Sequence, residues 1–289
     1  MRDFIIMTDS CCDLPAELVE ELGVVVLPLT VLIGENSYKN YPDGREIGFH
    51  EFYETVRGGA MPTTSAVSVG DFEDAMRDAL KQGKDILCLN FSGALSTTYQ
   101  SAVIAAEELR GEFPEADIRV LDTKAASVGQ GLIVYLCAKM QKEGKTLEET
   151  HAYAVETSPH LAHWVTVDDL NHLKRGGRIS ATTAMVGSML SIKPIIHIDG
   201  EGRLINVGKA RGRKAALKTV VDEMEKRLMD PSLPIFISHG DCLDDARIVA
   251  EDIKARLGVE VQVISYVGPV IGAHTGAGVI ALIFIGKER

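Results

Sequence analysis

Five short polar turns hold most of the side chains in this chain that can do chemistry. They are TDSCCDLP (8–15), PTTSAVS (62–68), SGALSTTYQS (92–101), LKRGGRIS (173–180) and GAHTGAG (272–278). The third is the richest. It follows the apolar run DILCLNF, and it carries hydroxyls at Ser92, Ser96, Thr97, Thr98 and Ser101, where a strand is expected to pass into a helix. A helix start offers unpaired N–H groups, and hydroxyls beside them make a seat for an oxyanion without the lysine of a phosphate loop. Each turn also has a plainer explanation. Asp13 can cap a helix that has Pro15 in its first turn. Ser68 can cap another, with Asp71 completing a loose capping box. The 92–101 row can cap its own helix, LKRGGRIS can be a solvated basic turn, and GAHTGAG can be a tight turn that exposes His274.

Several chemistries are excluded. The sequence has no GxxxxGK[ST], no GxGxxG opening a helix after a strand, no GxSxG and no HExxH. Cysteines 11, 12, 88, 137 and 242 are odd in number and lack CxxC spacing, so reduced thiols are expected. His160 and His163 have no third ligand at a suggestive spacing, and neither a metal nor a cofactor is expected. Acidic residues outnumber basic ones, 41 to 30, and the net charge of −11 argues against broad nucleic-acid binding. The first residues do not resemble a signal peptide, since Asp3 and Asp9 flank a short apolar run. The longest apolar runs are about half a membrane span, so a cytoplasmic protein is expected.

The elements that must position these turns alternate. FIIMTDS, PAELVEELG, VVVLPLTVLI, FHEFYETVR, VGDFEDAMRDALKQG, DILCLNF, IRVLDT and SVGQGLIVYLCAKMQKEG read as strands and helices in turn, with a turn-rich stretch over 33–48. That rhythm predicts a parallel sheet with helices on both faces. Ligands on such sheets bind beyond the carboxyl ends of strands, where Ser10, Ser92 and Asp122 fall. Near Pro159 the pattern changes: KPIIHIDGEGRLINVGKARG reads as two strands around a turn, and later strands follow one another without crossover helices. The expectation is an α/β chain of two domains. Residues 1–158 would form a three-layer α/β/α domain with a parallel sheet, and 159–289 an α/β domain with a mixed sheet.

The order and content of the turns resemble the DegV family of bacterial fatty-acid-binding proteins. TDSCCDLP is similar to that family's TDS-x-x-DLP, PTTSAVS to its TSQPS, and SGALSTTYQSA to its SSxLSGTYxSA. LKRGGRIS resembles LxxGGRIS, IKPIIHIDGEGRL…GKARG resembles IKP…DG…KVR, and GPVIGAHTGAG resembles the terminal GPV…HxGxG. Six motifs in order span nearly the whole chain. The departures are Ala66 and Val67 for Gln-Pro, Gly93 for a serine and Thr97 for a glycine; they touch headgroup geometry and chain preference. The resemblance implies a long-chain fatty acid held in a tunnel between the domains. Its carboxylate would lie on Thr64, Ser96 and His274, and no further cofactor would be needed. It also implies a non-catalytic role, presenting the carboxylate to a separate fatty acid kinase that makes acyl-phosphate for phospholipid synthesis, with Arg175 and Arg211 as kinase contacts. The competing expectation is a stand-alone acyl hydrolase or phosphotransferase using His274.

Overall fold

The computed structural model describes residues 2–180 and 191–289. The chain opens with strand β1 (Phe4–Asp9), a 3-10 turn (Ser10–Cys12), α1 (Ala16–Leu22) and β2 (Val25–Leu27). A hairpin of β3 (Thr30–Ile33) and β4 (Asn36–Lys39) follows, then α2 (Phe49–Arg57), β5 (Thr63–Ser65), α3 (Val69–Lys81), β6 (Asp85–Asn90) and α4 (Thr98–Glu112). β7 (Ile118–Asp122), α5 (Val128–Lys142) and α6 (Leu147–Thr157) complete the first half. The second half runs through β8 (Leu161–Thr166), α7 (Asn171–Arg175), β9 (Ile192–Ile198), β10 (Leu204–Arg211), α8 (Arg213–Arg227) and β11 (Phe236–His239). It ends with α9 (Leu243–Leu257), β12 (Val263–Tyr266), α10 (Pro269–Thr275) and β13 (Ile280–Ile285).

The first sheet is all parallel, in the order β2-β1-β6-β7. Its inner strand β6 is apolar along its length, and Ile86, Leu87, Cys88 and Leu89 are fully buried. That is the pattern of a strand covered on both faces: α3 and α4 pack on one, α5 and α6 on the other. The second sheet is mixed and six-stranded, β10-β9-β8-β13-β11-β12, with only β11 and β12 parallel. The two-sheet expectation therefore matches. Capping boxes start α3 at Ser68 with Asp71 and α6 at Thr146 with Glu149, the first of them as the sequence suggests.

Other expectations are corrected. VVVLPLTVLI is two strands in different sheets, broken around Pro28, which has no N–H to donate to a ladder. Residues 36–39, within the stretch expected to be irregular, form β4 and pair with β3, whose other edge takes β5. Thr64 thus sits on a strand opposite Val31, not in a turn before a helix. Asp13 does not cap α1, which starts after Pro15 without a side-chain cap; it ends the 3-10 turn in a left-handed conformation. His274 belongs to the last turn of α10, and LKRGGRIS begins inside α7.

Helix α10 is the element that brings the two halves together at the site. It packs against β3, β5 and α2. The approach to α2 depends on Gly272, where an added Cβ would lie 2.7 Å from both Phe52 Cε1 and Tyr53 Oη. Tyr53, fully buried, fixes the entry to α10 by donating its hydroxyl to the Val267 carbonyl at 2.7 Å.

Candidate functional site

The two large sheets and the small β4-β3-β5 sheet border a cavity of about 450 Å³. Its walls are mainly apolar: Phe91 and Leu95 follow β6, Val270 and Ile271 come from α10, and Val165 and Ala281 come from the mixed sheet. Thr64, Ser96, Arg178 and His274 add polar groups to this lining.

Thr64 Oγ1 and His274 Nε2 are 2.8 Å apart, joining residues 210 positions apart in sequence. The contact exists because β5 is the edge strand on which α10 rests. Burial pushes the imidazole down to about 4, with the nearby Arg178 charge acting in the same direction, so the ring is neutral at pH 7. Its other face is set by Gly176. A Cβ there would lie 2.2 Å from His274 Nδ1, so only a glycine lets the backbone run against the ring in its present position.

Ser96 Oγ accepts the Thr98 N–H at 3.2 Å and contacts Thr98 Oγ1 at 2.9 Å, one residue ahead of Thr97, the N-cap of α4, whose own side chain makes no capping bond. Of the hydroxyl row, only Ser96 and Thr97 line the cavity. Ser92 is buried and donates to the Gly202 carbonyl at 2.8 Å, tying the β6–α4 loop to the β9–β10 turn. Thr98 is buried as well. Thr97, which stands where the resembled motif has a glycine, is an exposed residue in ordinary right-handed geometry.

Arg178 is the residue that sequence reasoning missed. Its Nε donates to the Leu95 carbonyl at 3.1 Å and its Nη1 to the Gly176 carbonyl at 2.5 Å, linking the Ser96 loop to the backbone that abuts His274. Hydroxyls and helix amides are thus not the only donors here, because a fixed guanidinium lines the same cavity. The available signal was the arginine of GGRIS, three residues beyond the one singled out. Arg175 itself is exposed, and its Nη2 contacts His172 Nδ1 at 2.9 Å within the same short helix. Arg211 is exposed at the end of β10. Neither lines the cavity.

A neutral imidazole, two hydroxyls and a guanidinium suit an anionic end group, and the walls around them suit an apolar body. Such a site takes an amphiphile. The chain belongs to the DegV family, whose model, described as "Uncharacterised protein, DegV family", matches residues 3–287. A DegV domain-containing protein of Clostridium perfringens is 46% identical over 290 residues, covering 100% of this chain and 99% of that one. Another from Streptococcus pyogenes is 37% identical, covering 99% of each. Among solved structures, a DegV family protein from Thermus thermophilus described as binding fatty acid superposes with a TM-score of 0.85 at 33% identity, covering 98% of this chain and 99% of that one. DegV of Bacillus subtilis, described as a fatty acid binding protein, superposes with a TM-score of 0.84 at 28% identity, covering 99% and 100%.

Proposed function

We propose that this protein binds a long-chain fatty acid, with its carboxylate on Thr64, Ser96 and His274 and its tail in the 450 Å³ cavity. The observation that carries this reading is the Thr64–His274 contact beside Arg178 in an otherwise mainly apolar cavity. A carboxylate leaving water needs several donors, and these side chains supply them. The tail supplies the affinity: at ~0.8 kcal/mol per buried CH₂, a 16-carbon chain contributes on the order of 10 kcal/mol before ordering costs. The relatives described as fatty-acid binding support the same reading. Residues 1–158 and 159–289 are its two domains, and it works in the cytoplasm.

The protein is itself non-catalytic. It presents the carboxylate to a separate fatty acid kinase, whose acyl-phosphate product feeds phospholipid synthesis, and Arg175 and Arg211 supply exposed positive charge for that partner. Arginine suits the role because its planar fork pairs with phosphate or carboxylate in two bonds. The competing reading, a hydrolase or phosphotransferase, draws on the Thr64–His274 distance, which is that of a nucleophile and its base. Against it, His274 has no carboxylate partner among the described residues, and its Nδ1 faces the Gly176 backbone. Lipid extraction from the purified protein, followed by mass spectrometry, separates the two. Bound free fatty acid supports the carrier. An empty protein that turns over acyl esters refutes it.

A further inference from the structure

A second cavity of about 400 Å³ lies beside the first, also between the two halves of the chain. Leu14, Phe49, Ile264 and Tyr266 form much of its wall, with Asn40 and His239 among its polar groups. One hydrogen-bonded pair of side chains spans the linings of the two cavities. Ser127 lines the first cavity and Asp13 the second, and Ser127 Oγ donates to Asp13 Oδ2 at 2.5 Å. The backbone beside them divides in the same way, since Val267 lines the first and Gly268 the second, and the Gly268 N–H donates to Asp13 Oδ1 at 3.0 Å.

Three features mark this pair as more than packing. Both residues are buried and both have positive φ: Asp13, at φ 49° and ψ 26°, is in the left-handed region that aspartate tolerates, and Ser127, at φ 53° and ψ −145°, is in one that strongly favours glycine. A strained serine is thus held against a carboxyl from a distant segment. Burial raises the Asp13 carboxyl to about 8, so the pair is mostly protonated and uncharged at neutral pH. The pair also lies at the start of α10, whereas His274 lies in its last turn. Six residues of helical rise separate Gly268 from His274, about 9 Å, so the pair stands well along α10 from the His274 donor.

We propose that the Asp13–Ser127 pair is the wall that limits the acyl tail, and that the second cavity is the space this wall withholds from longer chains. The inference rests on the fatty-acid reading above. Removing the wall joins the two spaces, and each further methylene that is accommodated favours the longer chain by about fourfold.

The test uses the full chain, delipidated and reloaded from an equimolar mixture of straight-chain saturated fatty acids of graded length, with the bound lipid read by mass spectrometry. Ser127→Gly suits the local backbone and so keeps the fold, and it should shift the bound profile toward longer chains. Asp13→Ala combined with Ser127→Gly should shift it further. Asp13→Asn preserves the shape of the wall and should keep the wild-type profile. An unchanged or shortened profile in folded, lipid-loaded Ser127→Gly and double variants overturns the proposal, as does a shift in Asp13→Asn equal to theirs. If wild-type protein takes up no fatty acid at all, it is the underlying functional reading that fails.

Discussion

Gly176→Ala tests the carboxylate seat without touching any residue assigned to it. Gly176 has right-handed backbone (φ −70°, ψ −9°), which alanine adopts freely, and replacing glycine there favours the folded state by ~0.4–1 kcal/mol through the unfolded chain. The added methyl, however, would lie 2.2 Å from His274 Nδ1, 3.1 Å from Cε1 and 3.2 Å from Cγ. All three atoms belong to one rigid ring, so the imidazole must swing, and Thr64 loses its 2.8 Å partner. A charge-assisted hydrogen bond to the ligand is worth roughly 1.5–3 kcal/mol, so fatty-acid affinity should fall about ten- to a hundredfold. The assay is titration with a long-chain fatty acid in wild type, Gly176→Ala, His274→Ala and the double variant, with thermal unfolding of each. In the cycle, Gly176→Ala should cost almost nothing once His274 is gone, because the two changes remove the same interaction. Wild-type affinity in Gly176→Ala would refute the assignment of His274. Additive losses would show that Gly176 acts by another route.

Thr64→Ala and Ser96→Ala should each weaken fatty-acid binding about ten- to a hundredfold, and unchanged titrations for both would remove them from the site. Ser96→Ala should also lower stability by about 1 kcal/mol, seen in urea unfolding, because it deletes the acceptor of the Thr98 N–H at the start of α4. Asp13 predicts a pH dependence. Its folded-state value is raised to about 8, so above the ordinary carboxylate range the folded chain keeps a proton that the unfolded chain has lost, and stability falls as pH rises toward 8. The buried His163 and His274, lowered to about 3 and about 4, act in the opposite sense, and because unfolded imidazoles titrate around 6.5 part of that effect extends above it. The Asp13 contribution is therefore read as a difference: between pH 6.5 and 8 the wild type should lose roughly 1.5–2 kcal/mol relative to Asp13→Asn in urea unfolding, and parallel profiles would refute the raised carboxyl. Arg175→Glu and Arg211→Glu should leave fatty-acid affinity intact and abolish acyl-phosphate formation with the cognate kinase, and full phosphorylation with both would put the docking surface elsewhere.

What was legible in the sequence follows from the range of the forces involved. Buried parallel strands such as β6 announce themselves because helices on both faces demand an unbroken apolar run, and the capping box at Ser68 is written in four adjacent residues. The split at Pro28 was missed because both flanking strands are apolar, and periodicity does not say which sheet a strand joins. The same limit hid β5, whose three residues carry no apolar signal and whose pairing with β3 is decided over thirty residues away.

The site divides along the same line. Thr64, Ser96 and His274 were named from a resemblance between motifs, yet local reading placed Thr64 and His274 in turns, and they lie on a strand and a helix. Their meeting depends on Gly272, which lets α10 approach α2, and on Gly176, which leaves room for the ring. Neither glycine has a side chain to advertise a role. Arg178 shows the converse. As one arginine in a basic turn it looks like its neighbour Arg175, and the carbonyls of Leu95, from a distant segment, and of Gly176, two residues back, turn it inward. Which cation faces the cavity and which faces solvent is therefore set by backbone acceptors that no motif records. That is why a charge reversal at Arg178 should disturb fatty-acid binding, whereas one at Arg175, three residues away, should not.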